Sequence, residues 1–133
     1  MDASWIAKEI DRREKERRPL NERDLPMLIT TDDIDDWSRD GAVTRRRALD
    51  EAAVAIARAF EEGSLNFEVA DEAVNDLWSI ALCIDEDWSP LFYEIYEAFD
   101  SGEWSSDPKE NPVETRTRPY VREILSRPEA DLS

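Results

Sequence analysis

The sequence predicts an all-α fold, a single-domain bundle of five or six helices. Apolar residues recur every three or four positions in three long stretches, which is the period of a helix with one buried face. A residue type that caps helix starts precedes each of these stretches. The chain of 133 residues contains only three glycines and 38% charged residues, a composition that favours helices over strands.

The helix around which the chain is organised is predicted at about 67–84, with Asn66 as its N-cap. Its apolar residues fall on one wide face, and its polar residues fall on the opposite face. That polar face carries three carboxylates, Asp71, Glu72 and Asp76, and no cation. We therefore expect this helix to pack by one side and to present a negative side to water.

Two further dominant helices are predicted at about 45–62 and 90–101. Thr44 is placed to cap the first of them, and Gly63 follows it as a stop signal. The second begins at Ser89-Pro90, which combines a preferred N-cap residue with a proline at the first helical position. Because the connections are short, the three dominant helices are predicted to run antiparallel to their neighbours.

The remaining elements flank this core. A charged helix is predicted within residues 1–18, with a solvated or frayed second half because its apolar stripe runs out. An apolar connector follows over 19–30, and a short helix starts near Thr31. The last helix is predicted at about 118–126, and residues 127–133 are predicted to be a flexible tail.

The net charge of −16 is concentrated in the middle of the chain. Residues 21–100 contain 21 acids and six bases, and Arg58 is the only base between Ala48 and Asp100. Such a field repels nucleic acid and anionic membranes and attracts basic partners. We therefore expect a basic protein as partner, with no direct nucleic-acid or membrane contact. The alternative is that the acidic surface serves solubility alone.

The residue types also argue against several kinds of chemistry. Histidine is absent, which removes the commonest general base and most zinc sites. The single cysteine, Cys83, excludes an internal disulfide and has acidic neighbours, which disfavour a reactive thiolate. No apolar run approaches the length of a membrane span, and the N-terminus lacks the apolar centre of a signal peptide. The expectation is a cytoplasmic protein that is not an enzyme and needs no cofactor or metal.

Two stretches of the sequence partly match metal-binding motifs, which would contradict this expectation. The stretch DWSRDGAVTRRR resembles a calcium loop, but Arg47 stands where the bidentate glutamate belongs. Glu68 and Asp71 have the spacing of the second carboxylate motif in all-α, magnesium-dependent nucleotide pyrophosphatases. The first motif of those enzymes would need an acid at Leu65. A magnesium-dependent nucleotide hydrolase is therefore the least favoured of the functions considered.

Acidic runs that end in tryptophan are the predicted binding elements. They are DDIDDW, ending at Trp37, and DEDW, ending at Trp88. An aromatic side chain supplies a desolvated anchor, and carboxylates speed encounter with a basic partner and pair with its cations. Trp37 shares a helix face with Ile34, whereas Trp88 stands in a turn and is the better interface candidate. The predicted partner-binding residues are Asp85, Glu86, Asp87, Trp88, Glu72, Asp76, Asp32, Asp33, Asp35 and Asp36.

Three stretches, AFEEGSLNFEVADEAVNDLW, FYEIYEAFDSGEW and PVETRTRPYVREIL, resemble the small acidic helical immunity proteins encoded beside bacterial polymorphic toxins. The resemblance spans about residues 48–126. It implies an inhibitor whose carboxylates occupy the basic, nucleic-acid-binding cleft of a toxin, often a nuclease. No site residues are transferred from that family. The alternative function is a structural, adaptor or self-associating domain, which an exposed patch at Trp104 or Tyr120 would favour.

Overall fold

The structure, a computed structural model, describes residues 3–20, 26–84 and 87–132. These residues form six α-helices and no strand: α1 (Trp5–Arg17), α2 (Thr31–Asp40), α3 (Arg45–Glu62), α4 (Phe67–Cys83), α5 (Pro90–Asp100) and α6 (Arg118–Leu125). A π-helical turn at Val113–Thr117 leads into α6, and a 3-10 turn follows it at Pro128–Ala130. The predicted all-α, single-domain bundle is confirmed.

The helix α3, and not the predicted α4, is the centre of the bundle. It packs against all five other helices. Its residues are buried on most of its circumference, and Ala52, Ala53 and Ala57 have no exposed surface. Alanine side chains allow neighbouring helices to approach closely from several directions, so α3 is apolar nearly all round, as expected of a central helix.

The helix starts form as the sequence predicts. Thr44, Asn66 and Ser89 each accept a hydrogen bond from the backbone N–H three residues later, at 3.1, 2.9 and 3.0 Å. These bonds satisfy amides that the first helical turn leaves without partners. Gly63 ends α3 in the left-handed conformation, with a φ of 87°. Local capping signals therefore determine the starts of the three dominant helices and the end of α3.

An aromatic cluster fixes α3, α4 and α5 against one another. The ring of Phe60 lies 5.3 Å from that of Phe99 and 6.2 Å from that of Phe67, both edge to face. Gly102 sits close behind this cluster, where a Cβ atom would clash with Oγ1 of the buried Thr117. The glycine after α5 is therefore required by the close approach of the chain to the π-helical turn before α6.

The second half of α1 is packed, in contrast to the solvated or frayed helix predicted from its charges. Arg17 is buried and donates hydrogen bonds to the carboxylates of Glu14 and Glu72 and, at 2.9 Å, to the carbonyl of Pro26. One turn earlier, Arg13 donates to both carboxylate oxygens of Asp33, at 2.6 and 3.0 Å. Cations thus replace the missing apolar stripe and attach α1 to α2 and α4.

The end of the chain is also packed, although the sequence predicts a flexible tail at 127–133. Ala130 is buried, and its carbonyl accepts a hydrogen bond from Arg58 at 3.2 Å. Arg47 donates to the carbonyl of Leu132. Both arginines lie on α3, so this helix holds the described part of the chain end, up to residue 132, against the bundle. These contacts join residues far apart in sequence, which local patterns do not show.

Candidate functional site

Four aromatic side chains form a continuous surface across α4 and α5, which we call the aromatic strip: Trp78, Trp88, Tyr93 and Tyr96. The ring of Trp78 lies at its centre. It stacks on Tyr96 at 4.2 Å with an interplanar angle of 11°, and it lies 4.7 Å from Trp88 and 5.9 Å from Tyr93. These separations are within the range in which aromatic rings attract one another. The strip is therefore a preformed surface.

The strip is anchored on one side and open on the other. Phe92, which is buried in the core, stacks on Trp78 at 6.3 Å. Trp88 and Tyr93 expose 39% and 40% of their surface. Large aromatic side chains that are both rigidly packed and solvent-exposed are typical of the anchors of protein–protein interfaces. The exposed rings can bury further area against a partner at little cost in side-chain entropy.

Carboxylates surround this strip, and no cation neutralises them. The chain has no lysine or arginine from residue 59 to residue 108. Within the residues that the structure describes, six acids on α4, α5 and the segments that follow α4 and α5 form no ion pair: Glu68, Asp71, Asp87, Glu97, Asp100 and Glu103. The described arginines lie on other elements, and two of them, Arg17 and Arg127, pair with different acids of these helices, Glu72 and Glu94. The α4–α5 face therefore keeps its negative charge.

The tyrosine hydroxyls of the strip lie among these acids. The negative charge of Glu97 raises the pKa of Tyr93, with Asp100 adding to the effect. Burial raises the pKa of Tyr96, and Asp100 and Glu103 raise it further. Both phenols therefore stay protonated at neutral pH. The strip thus ends in a group of carboxylates and neutral hydroxyls that can accept hydrogen bonds from a cation.

One of these acids is neutral at physiological pH. Burial, followed by the neighbouring Glu103 carboxylate, raises the pKa of Asp71 to about 8. Its Oδ1 is shut off from solvent and has no hydrogen-bond partner within the described residues. Asn75 donates to the backbone carbonyl of Asp71 at 2.9 Å and to Glu103 at 3.3 Å. Asp71 therefore retains a proton where the two carboxyl groups meet.

Of the four predicted residues from Asp85 to Trp88, the structure describes two. Asp85 and Glu86 lie outside the described residues. Asp87 is exposed and forms no ion pair with a described residue. Trp88 belongs to the aromatic strip. The structure therefore places two of these four residues at the same surface.

The predicted residues Glu72 and Asp76 lie on another side of α4 and already have partners. Glu72 pairs with Arg17. Asp76 accepts hydrogen bonds from the backbone amides of Leu28 and Ile29, at 2.8 and 3.2 Å. Burial raises the pKa of Asp76, and these two bonds oppose that shift. Both carboxylates attach the N-terminal part of the chain to α4.

We expect Asp76→Ala to destabilise the fold by about 1–2 kcal/mol, because it leaves two amides of the buried connector without an acceptor. The measurement is the free energy of unfolding in urea. Asp32→Ala is the matched control, since Asp32 is exposed and forms no hydrogen bond with a described residue. The expectation fails if the two variants are equally stable.

The four predicted acids of α2 are on a separate element, which packs against α3. Asp33 forms a capping box with Thr30 and pairs with Arg13. Asp35 pairs with Arg45 at 2.8 Å, and Asp36 pairs with Arg39 at 2.6 Å. Asp32 is exposed. Three of the four acids of α2 thus have internal partners, and Trp37 packs edge to face on Trp5 at 5.4 Å.

The residues considered for magnesium are not assembled into a metal centre in the described ranges. No group of three or more histidine, cysteine, aspartate or glutamate side chains there could hold a metal ion. Glu68 is exposed at the start of α4, and Asp71 is directed to Glu103. The arrangement resembles a carboxyl pair that shares a proton more than it resembles a cation site.

The sequence does not single out Tyr93, Tyr96, Glu97, Asp100 or Glu103. The three acids contribute there only to the overall charge. A usable signal is the spacing of three between the two tyrosines and between Glu97 and Asp100, which places each pair along one side of a helix. That signal gains meaning only once Trp78 is known to pack against α5.

None of the helices formed by the described residues is long and apolar enough to span a membrane. Comparison of the chain with protein-family models, with curated proteins and with solved structures found no match. The geometry of the α4–α5 surface is therefore the basis for the functional proposal.

Proposed function

We propose that the protein is a non-enzymatic binding protein that docks a basic protein through the aromatic strip and the carboxylates around it. Its role is that of an immunity or antitoxin-like inhibitor, which neutralises a basic toxin by occupying the toxin's positively charged site. The observation that carries this proposal is the coincidence of exposed, mutually packed aromatic rings with five carboxylates that form no ion pair within the described residues, Glu68, Asp87, Glu97, Asp100 and Glu103.

The two components of the surface have different tasks. Trp88 and Tyr93 offer ring faces and edges on which an arginine or lysine side chain of the partner can pack, a contact that strengthens when it is desolvated. The exposed acids Asp87, Glu97 and Asp100 act at longer range. They accelerate encounter with a cationic surface, and salt screens this effect. The proposal therefore predicts binding that is fast at low salt and weaker at high salt.

A charge-reversal experiment tests the proposal. The double variant Glu97→Lys/Asp100→Lys changes two exposed, unpaired acids of α5. The matched variant Asp32→Lys/Asp40→Lys makes the same change of charge on exposed acids of α2. Both tagged variants and the unchanged protein are used to capture proteins from a lysate of the producing cells, at about 0.05 M and about 0.5 M salt.

We expect the unchanged protein and the α2 variant to retain the same basic protein at low salt, and the α5 variant to lose it. One equivalent of the unchanged protein should then abolish the activity of the captured partner, for instance nuclease activity. Retention of the partner by the α5 variant, or loss by the α2 variant, would show that the α4–α5 face is not the docking surface. Capture of no basic protein at either salt would contradict the proposal as a whole.

One observation favours the alternative of a self-associating domain. Trp104 exposes 73% of its surface in the loop after α5. An exposed tryptophan of this kind can pack against a second copy of the chain. The capture experiment separates the two functions, because self-association returns only the protein itself and does not depend on the charges of Glu97 and Asp100.

A further inference from the structure

A cavity of about 640 Å³ lies between α1, α3 and the chain end, among residues that do not belong to the aromatic strip. Its volume falls within the range of small-molecule sites, about 300–1,000 Å³. Small apolar side chains make up much of its lining, among them Ala7 on α1 and Val54, Ala55 and Ala59 on α3. A cavity of this size and character accommodates an apolar body of several carbon atoms.

The walls of the cavity are held in place by the arginines of α3. Arg58 donates to the carbonyl of Ala130 at 3.2 Å, and Arg47 donates to the carbonyl of Leu132. Both Ala130 and Leu132 line the cavity. The chain end thus forms a third wall of the cavity, opposite α1, and hydrogen bonds hold this wall in place.

A buried carboxylate lines this apolar space. Glu51 exposes only 6% of its surface, and among the described residues its one partner is Arg47, whose Nε donates to it at 3.2 Å. Arg17, the other charged residue that is buried among the described residues, has three partners. A buried carboxylate is costly unless a counter-charge and further hydrogen bonds compensate it. The second oxygen of Glu51 therefore leaves an acceptor for a cationic group.

The charge around the cavity also favours a cation. Four carboxylates line it, against two cations: Asp11, Glu51, Glu62 and Asp131, with Lys8 and Arg58. Two of the carboxylates also pair with cations that do not line the cavity, Asp11 with Lys15 and Glu51 with Arg47. The net charge of −16 raises the local concentration of cations over the whole molecule. An anionic ligand would face repulsion from both sources.

We infer that this cavity binds a small organic amine, with its ammonium group on Glu51 and its apolar body against Ala7, Val54, Ala55 and Ala59. The amine would donate hydrogen bonds to Glu51 and complete the pairing that Arg47 provides only in part. This inference goes beyond the proposed docking of a basic protein and does not depend on it, since no residue of the aromatic strip lines the cavity.

Three probes of the same shape test the inference by isothermal titration calorimetry: phenylbutylamine, phenylbutanol and phenylbutanoate. We expect the amine to bind about tenfold more tightly than the alcohol, because a charge-assisted hydrogen bond supplies a difference of this size. We expect the carboxylate to bind more weakly than the alcohol. Glu51→Gln keeps the shape of the side chain and removes its charge. It should weaken binding of the amine about tenfold and leave the alcohol unchanged.

The matched control is Glu16→Gln, which alters an exposed glutamate of α1 that does not line the cavity and should change neither affinity. If Glu51→Gln does not fold, Ala55→Leu serves instead, because it reduces the volume and should weaken the amine and the alcohol alike. Circular dichroism establishes that each variant is folded. The inference is overturned if the amine binds no more tightly than the alcohol, or if the variant that folds binds the amine as the unchanged protein does.

Discussion

Replacing Trp88 by alanine is expected to weaken binding of the basic partner about a hundredfold, the loss typical of an aromatic anchor at the centre of an interface. Trp88 contributes exposed ring surface at one end of the aromatic strip, next to Asp87. Because only 39% of its surface is exposed, its removal also costs the isolated protein some packing against Trp78, so the fold of the variant is checked as well. The affinity is measured by titration calorimetry, and the fold by circular dichroism.

Trp104→Ala is the matched control for this prediction. Trp104 is the more exposed of the two tryptophans and lies outside the aromatic strip. If exposed aromatic surface in general drove binding, its removal would matter more than removal of Trp88. We expect the opposite order, with Trp104→Ala binding nearly as well as the unchanged protein. Equal losses in the two variants would mean that the strip is not the anchor.

Replacing Asp71 by asparagine is expected to stabilise the protein, and to do so increasingly as the pH rises. Asp71 has a pKa of about 8 in the folded state, against an ordinary value of 3.8. The folded protein therefore binds a proton that the unfolded chain releases, so its stability falls as the pH rises from about 4 through about 8. Asparagine cannot ionise, and its amide can still donate a hydrogen bond to Glu103.

The measurement is the free energy of unfolding in urea between about pH 5 and about pH 8. We expect the advantage of Asp71→Asn to grow by about 2 kcal/mol across this interval, a value reduced from the full linkage because solvent reaches part of the site. Asp32→Asn, a change at an exposed acid of α2 that does not contribute to the shift of Asp71, is the control and should not alter the slope with pH. If the gain in free energy of unfolding from Asp71→Asn is constant or shrinks as the pH rises, the conclusion that Asp71 retains a proton in the folded state is contradicted.

The fold was largely predictable because helices are specified by local signals. The caps Thr44, Asn66 and Ser89 and the stop at Gly63 act over three or four residues, which a sequence displays directly. Which helix lies at the centre of the bundle was not predictable in this way. Amphipathic periodicity favours α4 as the central helix. The alanines of α3 show its central position only once the helices that pack against them are known.

The candidate site was predictable only in part, because composition does not show which charges are used within the fold. Glu72, Asp76 and Asp33 look like surface acids in the sequence, yet each binds a group on another element. The partners of Glu72 and Asp76 are about 50 residues away in the chain. The sequence predicts Trp88 as the better interface candidate because it expects a turn there, but the exposure of its ring and its contact with Trp78 needed the tertiary structure.

The most direct test of the docking surface is amide hydrogen exchange of the protein alone and in complex with the captured basic partner. We expect the complex to slow exchange over residues 78–100, which include the aromatic strip and α5, and to leave α2 unchanged. Exchange is suited to this comparison because it reports local opening and burial along the whole chain. Protection of α2 without protection of residues 78–100 would contradict the proposal that the protein docks its partner through the α4–α5 face.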